Sequence, residues 1–218
     1  MRHNGITELF GYWHRLRDNR PAPERTEIDP AAIGSLLADT FILQATGAGD
    51  AMFRLAGTRI CARYGRELRG IRFASLWQEN DRGLIARLVQ SVVDTNGVVA
   101  TTFEGRSSQG RKQAFEMLLL PLSGEGDDRR MLGAITAIGA QYWLGAHPVM
   151  QNVLKSVRTI DPDNEQPFQK SASLSVPAIR RGDGSADPQS PGETQKPAGY
   201  RKIGHLFVYE GGKVVSRH

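Results

Sequence analysis

The chain has 218 residues, 39% of them hydrophobic and 7% aromatic, with a formal net charge of +5 and a single cysteine. That length holds one domain with extensions or two small ones, and the thin apolar content points to a polar, unfolded portion diluting an ordinary core. One cysteine excludes an intramolecular disulfide, no segment reaches the ~20 apolar residues of a membrane helix, and Met1-Arg2-His3-Asn4-Gly5 lacks the apolar stretch of a secretory leader, so a cytoplasmic protein without membrane insertion is expected.

In chain order, Ile6, Leu9, Phe10, Trp13 and Leu16 fall at helical spacing and predict an amphipathic helix over 6–17. The prolines of the 19–24 stretch end it. Asp29 then caps a short helix that has Pro30 at its first position and runs to Leu37. Residues 40–44 and 52–55 are β-rich and flank the turn at 47–50, which predicts a hairpin. A helix opens at Gly57-Thr58 and closes at Gly65, and 73–77 makes another short turn. Residues 82–95 carry the clearest apolar stripe, Ile85, Leu88, Val89, Val92 and Val93, stopped by Asn96-Gly97. Strands are predicted at 98–104, 113–122 and 131–140, joined by turns at 108–110 and 124–128. Two strands, short helices, one longer helix and three strands indicate an α+β domain with an antiparallel sheet and helices over one face.

The expected organisation is an N-terminal amphipathic helix over 1–20 and a domain over 21–146. A disordered linker over 147–199, rich in Pro, Ser, Gly and Asp, is expected next, then a strand-like segment over 200–218. In that last segment His205 to Tyr209 is strand-like, Glu210 to Lys213 is a turn, and Val214-Val215 offers a second short strand.

Several stretches resemble a known family. They are Phe10-Gly11-Tyr12-Trp13 with Leu16-Arg17, then Pro23, Arg25 and Asp29-Pro30, then Arg54-Leu55-Ala56-Gly57-Thr58-Arg59-Ile60-Cys61. Gly65-Arg66-Glu67-Leu68-Arg69-Gly70, Trp77 and Glu116 to Leu122 follow. In this order they are similar to the single-domain PAS proteins of alphaproteobacteria, over roughly residues 6–140. The resemblance implies a PAS fold, with a five-stranded antiparallel sheet and helices packed over its concave face, and a role in sensing or signalling. It implies no particular ligand, because fold does not fix function.

The residues leave two readings at each candidate position. Gly57 stands where a strand becomes a helix, so a positive φ or a close backbone approach is expected, with Thr58 as the cap. In the functional reading Arg54 or Arg59 holds an anionic ligand. Tyr64, Phe73, Trp77 and Phe103 either line a pocket with Arg54 or fill the core. Phe10, Trp13 and Leu16 either fold back on their own sheet or bury against a second copy, and the dimer or partner interface is the favoured expectation.

The cofactor stays unassigned. The histidines are His3, His14, His147, His205 and His218, none paired at ligand spacing and none between Arg15 and Ala146, which speaks against histidine-ligated haem. Cys61 lies on the helix after the second strand and outside the cysteine motif of flavin-binding relatives, which speaks against cysteinyl-flavin photochemistry and for core packing. No metal site, Gly-x-Ser-x-Gly, phosphate-binding loop with Lys or His-Glu-x-x-His occurs, and no enzyme is expected.

A non-enzymatic sensory module is therefore expected. It binds a small ligand or a signalling protein and communicates through protein contacts, with a homodimer among its partners. The alternative is a basic-tailed adaptor that binds nucleic acid or an acidic partner, since residues 147–218 hold ten Lys or Arg against seven Asp or Glu. Those charges are dispersed without interleaved aromatics, so nucleic acid is a disfavoured partner.

Overall fold

A computed structural model describes residues 4–47, 49–124, 129–139, 141–163, 200–203 and 206–209. The helices are α1 (Asn4–Arg17), α2 (Thr58–Tyr64) and α3 (Glu79–Thr95). The strands are β1 (Thr40–Ala45), β2 (Ala51–Ala56), β3 (Val98–Ser107), β4 (Lys112–Leu122), β5 (Arg130–Ala137), β6 (Val149–Ile160), β7 (Tyr200–Ile203) and β8 (Leu206–Tyr209). They form one sheet in the order β2-β1-β5-β4-β3-β6-β8-β7. Every pairing is antiparallel except β6 with β8.

The five expected strands are present in an antiparallel core. The short helix expected from Pro30 to Leu37 is instead two 3-10 turns, Ala31–Ile33 and Leu37–Asp39. Pro30, not Asp29, stands at the N-cap of the first, and Asp29 Oδ1, one residue earlier, accepts from Ala31 N at 2.8 Å. Helix α1 ends before the prolines, where Asp18 and Asn19 take left-handed φ values of 44° and 61°.

The domain does not stop at Pro148. Residues 149–160, expected in the linker, form β6, which pairs along the whole of β3. The pattern hides this strand because its register breaks between the partners of Thr102 and Phe103, so Leu154 and Val157 face the same core out of alternation. The C-terminal segment also pairs differently from expectation. Leu206–Tyr209 joins the preceding strand Tyr200–Ile203 and docks beside β6. Residues 164–199 and Val214-Val215 lie outside the described residues.

The sheet is buried on both faces. One face packs beneath α2, the Phe73–Leu76 turn and α3, through Phe41, Leu43, Phe53, Val99, Phe103, Phe115, Met117, Leu119 and Ile135. The opposite face meets α1 and the turns after it, through Ile42, Val98, Ala100, Leu118, Leu120, Leu132 and Ala134. Trp13 is fully buried there and its Nε1 donates to the Pro121 carbonyl at 2.8 Å. The last turn of α1 also holds the end of β6. Arg17, 2% exposed, pairs with Asp163 and donates to the Pro162 carbonyl at 3.3 Å, and its guanidinium lies 5.6 Å from the Trp13 ring centroid.

The Gly57 position is decided by a close approach rather than a positive φ: its φ is −66°. A Cβ there would collide with the backbone carbonyls of Leu37 and Ala38. Thr58 is exposed and makes no capping bond, and Gly57 itself is the N-cap. Gly57→Ala is expected to cost about 3 kcal/mol through overpacking against rigid backbone. Thr58→Ala should stay within about 0.5 kcal/mol of the parent. Urea midpoints of the two variants check the contrast.

Candidate functional site

Four of the five residues expected around a pocket meet beneath α2 and α3. Phe73 and Trp77 make an edge contact with centroids 5.9 Å apart, and Trp77 and Phe103 do the same at 5.1 Å. The row continues through Phe115, stacked on Phe103 at 5.1 Å, and through Phe53 and Phe41 on the other side of Phe73. Tyr64 is buried in the same cluster. These rings touch one another and form the core, so the side chains read as pocket lining also fill it.

Arg54 does not join them. It is exposed on β2 and donates to Gln44 across the β1–β2 pair. Arg59 points to Asp39, with which it pairs. The arginine that enters the core is Arg63, which sequence reading passed over. Its Nη1 donates to the Ile135 carbonyl at 2.8 Å, its Nη2 lies 2.7 Å from Asp39, and its guanidinium stands 5.8 Å from the Phe115 centroid. Burial works against this charge, and Asp39 opposes that effect. Arg63 therefore ties α2 to the entrance of β1 and to β5. A hint lies in the spacing, since residues 59 and 63 share a helix face four apart.

The polar part of the site comes from β6. Asn152, 1% exposed, lies with its Nδ2 2.8 Å from the Tyr64 hydroxyl and its Oδ1 3.2 Å from it. Burial pushes the Tyr64 phenol up to about 12, against the Asn152 hydrogen bond and the nearby arginines. Gln78 N donates to the Asn152 carbonyl at 2.9 Å, and Asp81, 1% exposed on α3, accepts from Leu154 N at 2.7 Å. Two buried polar atoms in this layer, Trp77 Nε1 and Thr101 Oγ1, have no hydrogen-bond partner among the described residues. Thr101 lies two residues before Phe103 on β3.

Phe10 and Trp13 are buried on the sheet of their own chain and Leu16 packs, partly buried, beside them, which is the fold-back arrangement. Cys61 is partly buried on α2, its Sγ 3.8 Å from the Ala56 carbonyl and 3.7 Å from Glu67. Burial pushes its thiol up, away from thiolate reactivity. His14 Nε2 lies 3.0 Å from the Pro162 carbonyl, at the end of α1 and across the sheet from the aromatic row. Among the described residues no cluster of three His, Cys, Asp or Glu could hold a metal ion, and no helix is long and apolar enough to cross a membrane.

Beyond α1, the outer sheet face turns polar. Glu104 on β3 accepts from Arg106 Nε at 2.7 Å and lies 3.9 Å from both Lys112 and Lys155. Burial pushes its carboxyl up, but the Arg106 hydrogen bond and the lysine charges outweigh that and hold it below the usual range.

Tyr64→Phe leaves the buried Asn152 amide short of a partner and is expected to cost about 1.5 kcal/mol. Asn152→Ala in that background should add less than it does alone, with a coupling of about 1 kcal/mol by a double-mutant cycle. Glu104 has a lowered folded pKa, so its contribution is present above the unfolded value of about 4.3 and is lost as pH falls through the folded value. Glu104→Gln is therefore expected to lower stability at neutral pH, and urea midpoints of parent and variant should converge as the pH drops below 4.

Residues 1–136 match the family model described as PAS domain. Among solved structures, the chain is similar to the LOV protein of Rhodobacter sphaeroides at 10% identity, covering 53% of this chain and 71% of that one with a TM-score of 0.39. It is similar to the PAS domain of an HTR-like protein from Haloarcula marismortui at 17% identity, covering 50% and 90% with a TM-score of 0.37. The PAS domain of a Colwellia psychrerythraea protein matches at 19% identity, covering 50% and 98% with a TM-score of 0.37. No curated protein matches the chain. The family match takes in α1 to β5 and stops short of β6, and over those residues the chain belongs to the PAS domain family.

Proposed function

We propose that the chain is a non-enzymatic sensory module whose input is a small ligand carrying a hydrogen-bond acceptor. The ligand is received between the helix layer and the sheet, and the output passes through protein contacts. The observation that carries this reading is the Trp77 indole N–H, buried without an acceptor in the same core as Tyr64, Phe73 and Phe103. A buried donor left unpaired costs about 1–3 kcal/mol, and a ligand acceptor recovers that cost on binding. Thr101 Oγ1 supplies a second unpartnered group on the neighbouring strand. Because the rings stand 5–6 Å apart, a ligand enters by parting Trp77 from Phe103 and Phe73.

A second reading is favoured by those same contacts. A core filled by touching rings suits a module that responds only to protein partners. The basic-tail alternative draws its charge from residues largely outside the described ones.

Native mass spectrometry on protein purified from its own cells, with an absorption spectrum alongside, tests the ligand. The expected result is a retained mass on the parent and its loss in Trp77→Phe, which keeps an aromatic, though smaller, side chain and removes the N–H. A bare mass on correctly folded parent protein overturns the ligand reading.

A further inference from the structure

We propose that the edge of β3 is a strand-acceptor surface, and that the partner it fits is the 149–160 segment of a second copy of this chain. In the isolated chain the same segment fills that edge as β6. Exchange of β6 between two copies would make a dimer with every β3–β6 contact kept, only the connection changing course.

Three observations carry this. The first is that the family match ends at residue 136, before β6 begins, so the matched domain is complete in α1 to β5 and β6 is an addition to its edge.

The second is that β6 is the less regular neighbour of β3. The β3–β4 register runs unbroken from Val99 to Arg106, whereas the β3–β6 register shifts twice, once after Thr102 and once after Arg106. With β6 docked, the Asp81 carboxylate is out of water and accepts from the backbone N–H of Leu154. It lays Val157 opposite Thr101, whose hydroxyl is left without a partner. A buried carboxylate specifies register more than it stabilises. Asp81 and the Tyr64–Asn152 pair thus act as a lock that recognises this strand and no shifted one, while the irregular ladder keeps its release within reach.

The third is the connection. Residues 138–148 between β5 and β6 contain Gly139 at φ 82° and Gly145 at φ 96°, conformations that open readily because glycine is free on both sides of φ. Fully extended, these residues span about 36 Å, enough to reach a neighbouring copy. In a second copy the incoming strand meets the same Asp81, Tyr64 and Gln78.

Two measurements on the full chain test this. By hydrogen exchange on the parent protein, the amides of 149–160 are expected to exchange roughly tenfold or more faster than those of β1, β4 and β5, as a separate unit. Asp81→Asn should accelerate the 149–160 set alone. Exchange of all strands in one step, on the parent itself, overturns the proposal without need of any variant.

The second measurement asks who receives the strand. Arg106 and Gln151 are register partners across β3 and β6. Arg106→Cys and Gln151→Cys, each in a Cys61→Ser background, are mixed as separate proteins under oxidised glutathione. A disulfide joining position 106 of one chain to position 151 of the other, identified by peptide mass and formed faster with Asp81→Asn, is the expected result. Its absence from the mixture, while the double variant closes the same bond within one chain, shows that β6 never changes owner and overturns the proposal.

Discussion

Strand β4 carries apolar side chains on both of its faces. Met117, Leu118, Leu119 and Leu120 are all at most 1% exposed, so neither side of the sheet centre can be left to water. A one-sided cover would strand Leu118 and Leu120 in solvent, at roughly 2 kcal/mol for each side chain. The N-terminal helix answers that requirement. Its stripe of Ile6, Leu9, Phe10 and Trp13 is spent on the outer face of β4 and β5, and Trp13 Nε1 also satisfies the carbonyl of Pro121. The helices of the other face then sit over Met117, Leu119 and the aromatic row.

Most polar groups buried inside such a sandwich are paired, and the pairs fix where the elements sit. Arg63 reaches Asp39 and the Ile135 carbonyl, holding α2 against the first and last strands of the family domain. Asn152 and Asp81 do the same for β6 against α2 and α3. Each is a buried group whose loss leaves a partner unsatisfied, so each specifies position as much as it stabilises.

Much of this was legible in the chain. The stripe of α3 and the β-rich runs of β1 to β5 carry the periodicities that helices and half-buried strands require, and the run from Arg54 to Cys61 places Gly57 at a crowded strand-to-helix turn. The strand β6 was not legible, because the bulge around Lys155 puts Leu154 and Val157 three apart and buries the polar Asn152, a pattern that reads as neither strand nor helix. Arg63 was missed for a related reason. A charged residue on a short helix reads as solvent-facing, and only the carbonyl of a distant strand and a carboxylate from the preceding turn make its burial tolerable. Trp13 sat in a recognised stripe, but a stripe does not say whether it is covered by its own chain or by another. That is settled by the apolar outer face of β4, far away in sequence.

The grip of α1 on the end of β6 has a mechanical consequence. Arg17 binds Asp163 and the Pro162 carbonyl immediately beyond the last paired residue, Ile160. A pull on the chain beyond residue 163 is therefore borne first by the last turn of α1, a helix packed across the sheet, and not by the β3–β6 ladder. The helix serves as a strain relief for the added strand, much as a clamp spares the joint behind it.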